Sequence, residues 1–231
     1  MQKNEPHPQE CTTLGVSVGM CYTLLKTRLT DLFGTETRET MRTLRWTSQD
    51  LELLPDDGNR YEIVDGELYV SKQPHLYHQI VSGKVFKLLE SWSDQTQTGL
   101  PIFTPGVIFT DDNDVVPDVV WISHKRLATA LQEDGKLHTS PELVIEVLSP
   151  GSANERRDRE VKLKLYSRRG AEEYWLVNWQ ERRLEVYRRQ EGVLELDKTL
   201  DEADTLQSPI LPGFSCKVGQ FFTSVVRQRN I

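Results

Sequence analysis

The stretch formed by residues 141–150 constrains the fold more than any other part of the sequence, because it places an acid inside an apolar strand. It reads Pro-Glu-Leu-Val-Ile-Glu-Val-Leu-Ser-Pro, a run of branched apolar side chains bounded by two prolines. This composition is typical of a buried central strand. Glu146 stands in its middle, and a buried carboxylate costs several kcal/mol unless it is paired, hydrogen-bonded or bound to a metal. The stretch therefore predicts the centre of a sheet and a carboxylate with a function.

A second apolar segment, residues 115–122, also carries an acid, because Asp118 follows a proline at its mouth. Downstream, residues 154–169 have the pattern of a helix that ends at Gly170, a suitable residue for the position after a helix. This helix carries Lys162. Two strands with one acid each, followed by a helix with a lysine, suggest a metal-dependent hydrolase.

Composition and charge limit the class of protein. The chain has 231 residues, which is enough for one large core, and a net charge of −7, which argues against a protein that coats nucleic acid nonspecifically. A nuclease with a local basic groove remains compatible with that charge. The three cysteines and five histidines have neither zinc-ligand spacing nor the even count of a disulfide framework. We therefore expect a reduced, cytoplasmic setting. The longest apolar candidate, residues 14–25, is too short to cross a membrane.

The chain divides into two parts at about residue 42. Residues 1–42 show no sustained period and suit a loose tail. Because Met41 stands immediately before the first ordered-looking sequence, this extension is expected to be disordered or a misassigned start. Residues 43–229 are expected to form one α/β domain.

Local patterns predict the elements of this domain. A short helix begins at residues 47–50 as a capping box with Asp in place of Glu, and an Asp-Gly pair at residues 65–66 predicts a type I′ hairpin over residues 61–70. The helix over residues 74–94 has one apolar stripe. The strand with Glu146, the helix with Lys162 and the run at residues 173–177 form a strand–helix–strand unit. The remaining predictions are strands at residues 102–103, 107–110, 184–187 and 193–196, a polar turn at 111–114, a short helix at 125–132 and a closing helix at 219–228.

Taken together and in order, these residues resemble the bacterial Uma family of restriction endonucleases. The resemblance is carried by Trp46-Thr47, Tyr61-Glu62-Ile63-Val64-Asp65-Gly66-Glu67-Leu68, His78, Pro117-Asp118, Glu146-Val147-Leu148-Ser149-Pro150, Lys162-Leu163-Lys164-Leu165-Tyr166, and Gly170 with Glu173-Tyr174-Trp175-Leu176-Val177. It covers roughly residues 44–190. It implies the fold of the PD-(D/E)XK superfamily, a restriction endonuclease-like central mixed β-sheet flanked by helices, here with an N-terminal hairpin.

The family pattern implies roles for particular residues. Asp118 matches its first acid and Glu146 its second, but Leu148 stands where the superfamily has its lysine. In this family the lysine comes from the following helix, which points to Lys162. Helix geometry favours it over Lys164, because 3.6 residues per turn place Lys164 on the opposite, polar face.

The resemblance implies metal-dependent cleavage of DNA. Asp118 and Glu146 are oxygen ligands suited to Mg²⁺, with Mn²⁺ as a substitute, and the carbonyl of Val147 could add another. Glu62 and His78 match additional polar positions of the family and are assigned catalytic roles, at a second metal site or around the first.

Other readings stay open. Glu146 could face solvent and pair with a lysine, Asp118 could close a turn, and Lys162 could be a solvated helix residue. The basic residues of the helix at 154–169 are either a phosphate-tracking strip or a solvated, paired surface. The chain could also be a catalytically inactive nucleic-acid-binding module on the nuclease fold, or a hydrolase of small phosphate esters. Double-strand cutting with one site per chain suggests a homodimer.

Overall fold

The apolar stretch around Glu146 forms a central strand of a six-stranded sheet. The computed structural model describes residues 44–225, apart from the side chains at 152 and 153. These residues belong to one compact unit that begins at Leu44. The predicted extension at residues 1–42 lies outside the described residues.

The described elements follow one another in this order. They are α1 (Ser48–Leu51), β1 (Arg60–Val64), β2 (Glu67–Ser71), α2 (Leu76–Thr96), β3 (Gly99–Phe103), β4 (Val107–Thr110), β5 (Asn113–Val115), β6 (Val119–Ser123), α3 (His124–Ala130) and β7 (Leu143–Val147). After these come α4 (Ser152–Arg156), a π-helical segment (Arg157–Lys162), α5 (Leu163–Arg169), β8 (Glu173–Asn178), β9 (Arg183–Gln190), β10 (Val193–Asp201), β11 (Thr205–Gln207), β12 (Ser215–Lys217) and a 3₁₀ helix (Val218–Phe222).

The large sheet is mixed, as predicted. Its strand order is β10-β9-β8-β7-β6-β3, in which β7 and β8 are parallel and the other neighbours are antiparallel. A four-stranded sheet with the order β2-β1-β5-β4 and the two-stranded pair β11-β12 complete the fold. The predicted strand–helix–strand unit is confirmed as β7, the following helix and β8.

The two faces of the large sheet carry separate apolar cores, because side chains alternate along each strand. Ile145 belongs to the core beneath α2, together with Val81, Val85 and Leu89. Val144 belongs to the other core, which packs against α5. Glu146 lies two residues after Val144 on the same strand, so its side chain points to the same face of the sheet, toward α5.

Local sequence signals set the smaller elements. Asp65 and Gly66 have φ values of 52° and 77°, which confirms the positive angles that a type I′ turn requires. At α1, the N–H and hydroxyl of Thr47 both donate to the Asp50 carboxylate at 2.8 Å, so the capping box works with aspartate. The helix predicted from residue 74 begins at Leu76 instead.

Two sequence predictions need correction, and two short strands were missed. The polar turn expected at residues 111–114 ends early, because Asn113 and Asp114 are buried in β5. The side-chain Oδ1 of Asn113 accepts a hydrogen bond from the Asp65 N–H, and Asp114 pairs with Lys136 at 3.1 Å. The strands β11 and β12 were not predicted. The closing helix is a 3₁₀ turn at Val218–Phe222, where two adjacent phenylalanines are both buried, and residues 226–228 of the prediction lie outside the described residues.

The expected helix over residues 154–169 is present, but its middle is π-helical. In this segment the hydrogen-bonded ring contains one residue more than in an α-helix, and such segments are frequent at functional sites. Gly170 ends α5 with φ 89°, as predicted. Among residues 44–225, no helix combines the length and apolar character that a bilayer crossing requires.

Gly99 gives a direct test of the packing between β3 and β6. A Cβ at this position would lie 2.6 Å from the Trp121 ring and 2.7 Å from the Ser123 Cα, so there is no room for it. We expect Gly99→Ala to lower the free energy of unfolding by about 1–3 kcal/mol in urea denaturation. Gly83 is the matched control, since a Cβ there meets nothing within 4 Å and Gly83→Ala should be stabilising by up to about 1 kcal/mol. If the two variants were equally stable, the close approach of Gly99 to Trp121 and Ser123 would be wrong.

Candidate active site

The predicted site residues meet at a cavity of about 220 Å³ between the β1–β2 hairpin, the start of α2, the ends of β6 and β7, and the π-helical segment. Asp118, Glu146, Val147, Lys162 and His78 all line it. The alternatives in which Glu146 faces solvent or Lys162 is a solvated helix residue do not hold, because their side chains are 3% and 1% exposed.

Asp118 is held from three sides. Its Oδ2 accepts a hydrogen bond from the Val147 N–H at 2.8 Å and lies 3.0 Å from His78 Nε2, while its Oδ1 lies 3.2 Å from Arg60 Nη1. Burial by itself raises the pKa of Asp118, but the contacts with His78, Arg60 and the Val147 N–H outweigh it and hold the pKa well below its ordinary value. Asp118 is therefore a permanent carboxylate at this site, and not a turn-closing residue.

Glu146 has the opposite electrostatic character. Its Oε1 accepts hydrogen bonds from Lys162 Nζ at 2.9 Å and from the Tyr166 hydroxyl at 2.8 Å. Burial raises the pKa of Glu146 to about 8; Lys162 opposes this shift, and the negative charges of Asp118 and Asp158 add to it. In the metal-free protein, Glu146 therefore keeps its proton at a pH where Asp118 has lost its own.

Lys162 connects Glu146 to Glu62. Its Nζ lies 2.8 Å from Glu62 Oε1 and 2.9 Å from Glu146 Oε1. Burial lowers the pKa of Lys162, but the surrounding carboxylates outweigh burial and raise it, so the ammonium stays charged. An ammonium has three N–H donors. Among the described residues two carboxylate oxygens occupy this nitrogen, so the third donor is available to a ligand in the cavity.

Glu62 lies behind Lys162, away from the cavity wall. Its Oε1 also accepts a hydrogen bond from the Val116 N–H at 2.9 Å. Burial raises the pKa of Glu62, but Lys162 and Arg157 outweigh it, so the pKa is lowered. Glu62 thus contacts Lys162 from behind, and its predicted role, at a second metal site or around the first, stays a prediction.

The π-helical segment brings three of its side chains toward the site. Arg157 and Asp158 pair at 2.9 Å, and Arg157 also donates to the Ser71 hydroxyl at 2.6 Å. Because Asp158 and Lys162 are both buried, the wider helical turn presents them to the cavity together.

Sequence reasoning missed the roles of several residues here, namely Arg60, Arg157, Asp158 and Tyr166. For Arg60 a signal existed: Arg60 and Glu62 are two residues apart on β1, and residues at that spacing face the same side of a strand. Because Glu62 was a candidate site residue, Arg60 should have been a candidate as well. Arg157 was interpreted as part of a surface strip, although its side chain is 11% exposed.

Three arginines of that surface are paired with carboxylates. Arg156 pairs with Glu160, Arg159 with Glu185, and Arg168 with Asp65. Arg169 donates to the Thr110 hydroxyl. These contacts favour the interpretation of a solvated, paired helix surface over a phosphate-tracking strip.

Four carboxylates and three permanent cations form the ionic network around the cavity. The carboxylates are those of Glu62, Asp118, Glu146 and Asp158, and the cations are Arg60, Arg157 and Lys162. The carboxylates outnumber the permanent cations by one, and the raised pKa of Glu146 lets that carboxyl group keep its proton. His78 Nδ1 is buried and has no hydrogen-bond partner among residues 44–225. Within the same residues, no cluster of three or more histidines, cysteines or acids is arranged to hold a metal ion.

Comparison with known proteins gives a matching family model and a solved structure with a similar fold. A family model for Uma2, described as "Putative restriction endonuclease", matches residues 48–219. The chain is also similar to the crystal structure of a "putative nuclease belonging to DUF820" from Anabaena variabilis ATCC 29413, with 18% identity and a TM-score of 0.61 over 76% of this chain and 97% of that one. This similarity shows a shared fold.

A second solved structure is more distant. The type IIG restriction endonuclease BpuSI matches with 17% identity and a TM-score of 0.35, over 63% of this chain and 15% of that one, which is too low to support an argument. No curated protein matches the chain.

Proposed function

The chain belongs to the Uma2 family of restriction endonucleases, and on that premise we propose that it is a metal-dependent DNA endonuclease. The observation that supports the proposal most is the convergence of Asp118, Glu146 and Lys162, which come from three separate segments, on one cavity. Family membership supports a nuclease; the cation, the substrate and the roles of individual residues are part of the proposal.

Asp118 and Glu146 fit a magnesium ion. Mg²⁺ is usually held by one or two carboxylates together with waters and substrate phosphate, so a larger protein cluster is not needed. Because Glu146 keeps a proton in the metal-free protein, a bound cation would take the place of that proton. The Val147 carbonyl stays a predicted third ligand. A bound Mg²⁺ or Mn²⁺ would lower the pKa of a ligated water and neutralise charge on the phosphate.

The remaining chemistry belongs to the residues of the chain. Lys162 would use its free donor to orient a water or a phosphate oxygen as a point charge. Glu62 and Val116 hold that lysine in place, because the Glu62 carboxylate is itself fixed by the Val116 N–H. His78 and the Val147 N–H fix the Asp118 carboxylate. These contacts pre-organise the site before substrate arrives.

A cleavage screen tests the proposal. Plasmid, linear and branched DNA, RNA and single nucleotides are incubated with the protein and Mg²⁺ or Mn²⁺. We expect nicked or cut DNA with either cation and intact DNA with chelator. Hydrolysis of nucleotides without cleavage of polymers would replace the proposal with a hydrolase of small phosphate esters. Double-strand breaks would also lead us to test, by light scattering, the homodimer suggested by the sequence.

One observation favours a second candidate, a binding module without turnover. Arg60 and His78 already contact Asp118, and Lys162 already contacts Glu146, so both carboxyl groups have partners without a cation. Fold alone does not decide between the two functions. Titration calorimetry with Mn²⁺ does: absence of binding, together with absence of cleavage, would favour the module.

Metal affinity should depend on pH because the cation competes with a proton. The pKa of Glu146 is raised to about 8 from its ordinary value of 4.5, and a ligand carboxylate must be deprotonated. Between about pH 6 and about pH 8, the affinity for Mn²⁺ should therefore rise, by up to about tenfold per pH unit. Calorimetry in two buffers of different ionisation enthalpy should also show release of up to about one proton per ion. An affinity independent of pH would contradict a protonated Glu146.

A further inference from the structure

Arg60 is the most accessible of the three permanent cations in the network. It is the first residue of β1, and its side chain is 29% exposed at the cavity, compared with 11% for Arg157 and 1% for Lys162. Its hydrogen bonds are also longer than those of Arg157 and Lys162. A single nitrogen, Nη1, donates to Asp118 Oδ1 at 3.2 Å and to the Val116 carbonyl at 3.3 Å.

Arg60 and the two other partners of Asp118 use different oxygens. The Val147 N–H and His78 hold Oδ2, at 2.8 and 3.0 Å, and these partners are part of the buried framework. Arg60 alone among the described residues contacts Oδ1. Release of Arg60 would therefore free one carboxylate oxygen of Asp118 while the side chain keeps its position.

A guanidinium and a divalent cation cannot share that oxygen without strong repulsion, because like charges a few ångströms apart repel in a partly desolvated site. Once displaced, Arg60 would still be at the cavity, where the substrate brings a phosphodiester. A guanidinium matches the paired oxygens of a phosphate with two parallel N–H donors. The cation would therefore displace Arg60 from Asp118 by repulsion, and the substrate phosphate would provide a new acceptor for its guanidinium.

We propose that Arg60 occupies the place of the divalent cation in the metal-free protein and passes to the substrate phosphate when the cation binds. The inference rests on the proposed function. It assigns Arg60 two separable roles, a competitor of the metal and a ligand of the phosphate.

Calorimetry with Mn²⁺ alone, without DNA, tests the first role. Arg60→Gln should bind Mn²⁺ about tenfold more tightly than the wild type, because one competing positive charge is removed. Arg183→Gln is the matched control: Arg183 also pairs with an aspartate, Asp201 at 3.0 Å, and its loss changes the net charge equally, but it lies on β9 outside the site, so its Mn²⁺ affinity should equal that of the wild type.

Arg60→Lys tests the second role. A lysine keeps the competing charge, so Mn²⁺ affinity should stay near the wild-type value. It cannot form the paired contact with phosphate, so DNA cleavage at saturating Mn²⁺ should fall by about tenfold or more. If Arg60→Gln fails to fold, this variant alone decides: reduced cleavage at unchanged Mn²⁺ affinity supports the inference, and unchanged cleavage overturns it.

The outcomes separate this inference from the proposed function. If the wild type binds Mn²⁺ and Arg60→Gln binds it equally or more weakly, Arg60 only supports Asp118 and the inference is wrong, while the endonuclease proposal stands. If the wild type binds no Mn²⁺ and cuts no DNA, the endonuclease proposal fails first and the inference with it.

Discussion

Replacement of Glu146 by glutamine should reduce metal-dependent DNA cleavage by about 10³-fold or more, because the site loses one of its two metal-binding carboxylates and a bound metal contributes several kcal/mol of transition-state stabilisation. The fold should survive the change. With a pKa of about 8, the metal-free Glu146 is mostly protonated at neutral pH, and an amide can still accept the hydrogen bonds of Lys162 and Tyr166. Plasmid nicking and thermal unfolding measure the two effects.

Glu173→Gln is the matched control for this prediction. Glu173 is also a buried glutamate in the large sheet, but it begins β8 at the opposite end from the cavity, where it pairs with Arg188 at 2.9 Å. Its variant should cut DNA at the wild-type rate. Undiminished cutting by both Asp118→Ala and Glu146→Gln would show that the nuclease activity arises elsewhere in the chain.

Replacement of Lys162 by methionine should destabilise the protein by about 3–5 kcal/mol at neutral pH, because it leaves the buried Glu62 carboxylate without its cation and Glu146 without one hydrogen-bond donor. Urea denaturation monitored by tryptophan fluorescence gives the free energy of unfolding. The loss should shrink in mildly acidic buffer, where protonation removes the charge of the unpaired Glu62. Cleavage should also fall, since the ammonium proposed to orient a water or a phosphate oxygen is removed.

Two further variants show whether the effect arises from the ionic network. Lys164→Met alters an exposed lysine two residues away on the same helix and should change stability by no more than about 0.5 kcal/mol. The double variant Glu62→Gln with Lys162→Met should recover about 1–3 kcal/mol, because one unpaired carboxylate is removed. Additive losses in the double variant would mean that Glu62 and Lys162 are not coupled.

Local sequence patterns were sufficient for the part of the site that lies on one strand and its neighbouring helix. Alternation along β7 puts Glu146 on the face opposite Ile145, and helix periodicity separates Lys162 from Lys164. The structure brings Glu146 and Lys162 to 2.9 Å, as that reasoning required. The hairpin and the capping box at Thr47 could be predicted for the same reason, since their signals span only a few residues.

The contacts between distant segments could not be predicted in this way. Arg60 and Asp118 are 58 residues apart in sequence, and they meet only because β1 pairs with β5, with Ile63 opposite Asp114. The pattern of apolar and polar residues within either segment does not indicate that the two strands pair. The strands β11 and β12 are three residues each and have the same limitation, because so short a segment is defined by its partner and not by its own pattern.

The π-helical segment has a consequence for how related sequences should be compared. A relative whose helix is α-helical throughout needs one residue fewer to travel the same distance, so a gap-free alignment would shift its lysine by one position against Lys162. The resemblance described above already implies that the lysine lies on the helix in this chain and not on the strand. Equivalent lysines in such proteins should therefore be identified by superposing their structures. An alignment by sequence position alone would select a neighbouring residue on another side of the helix.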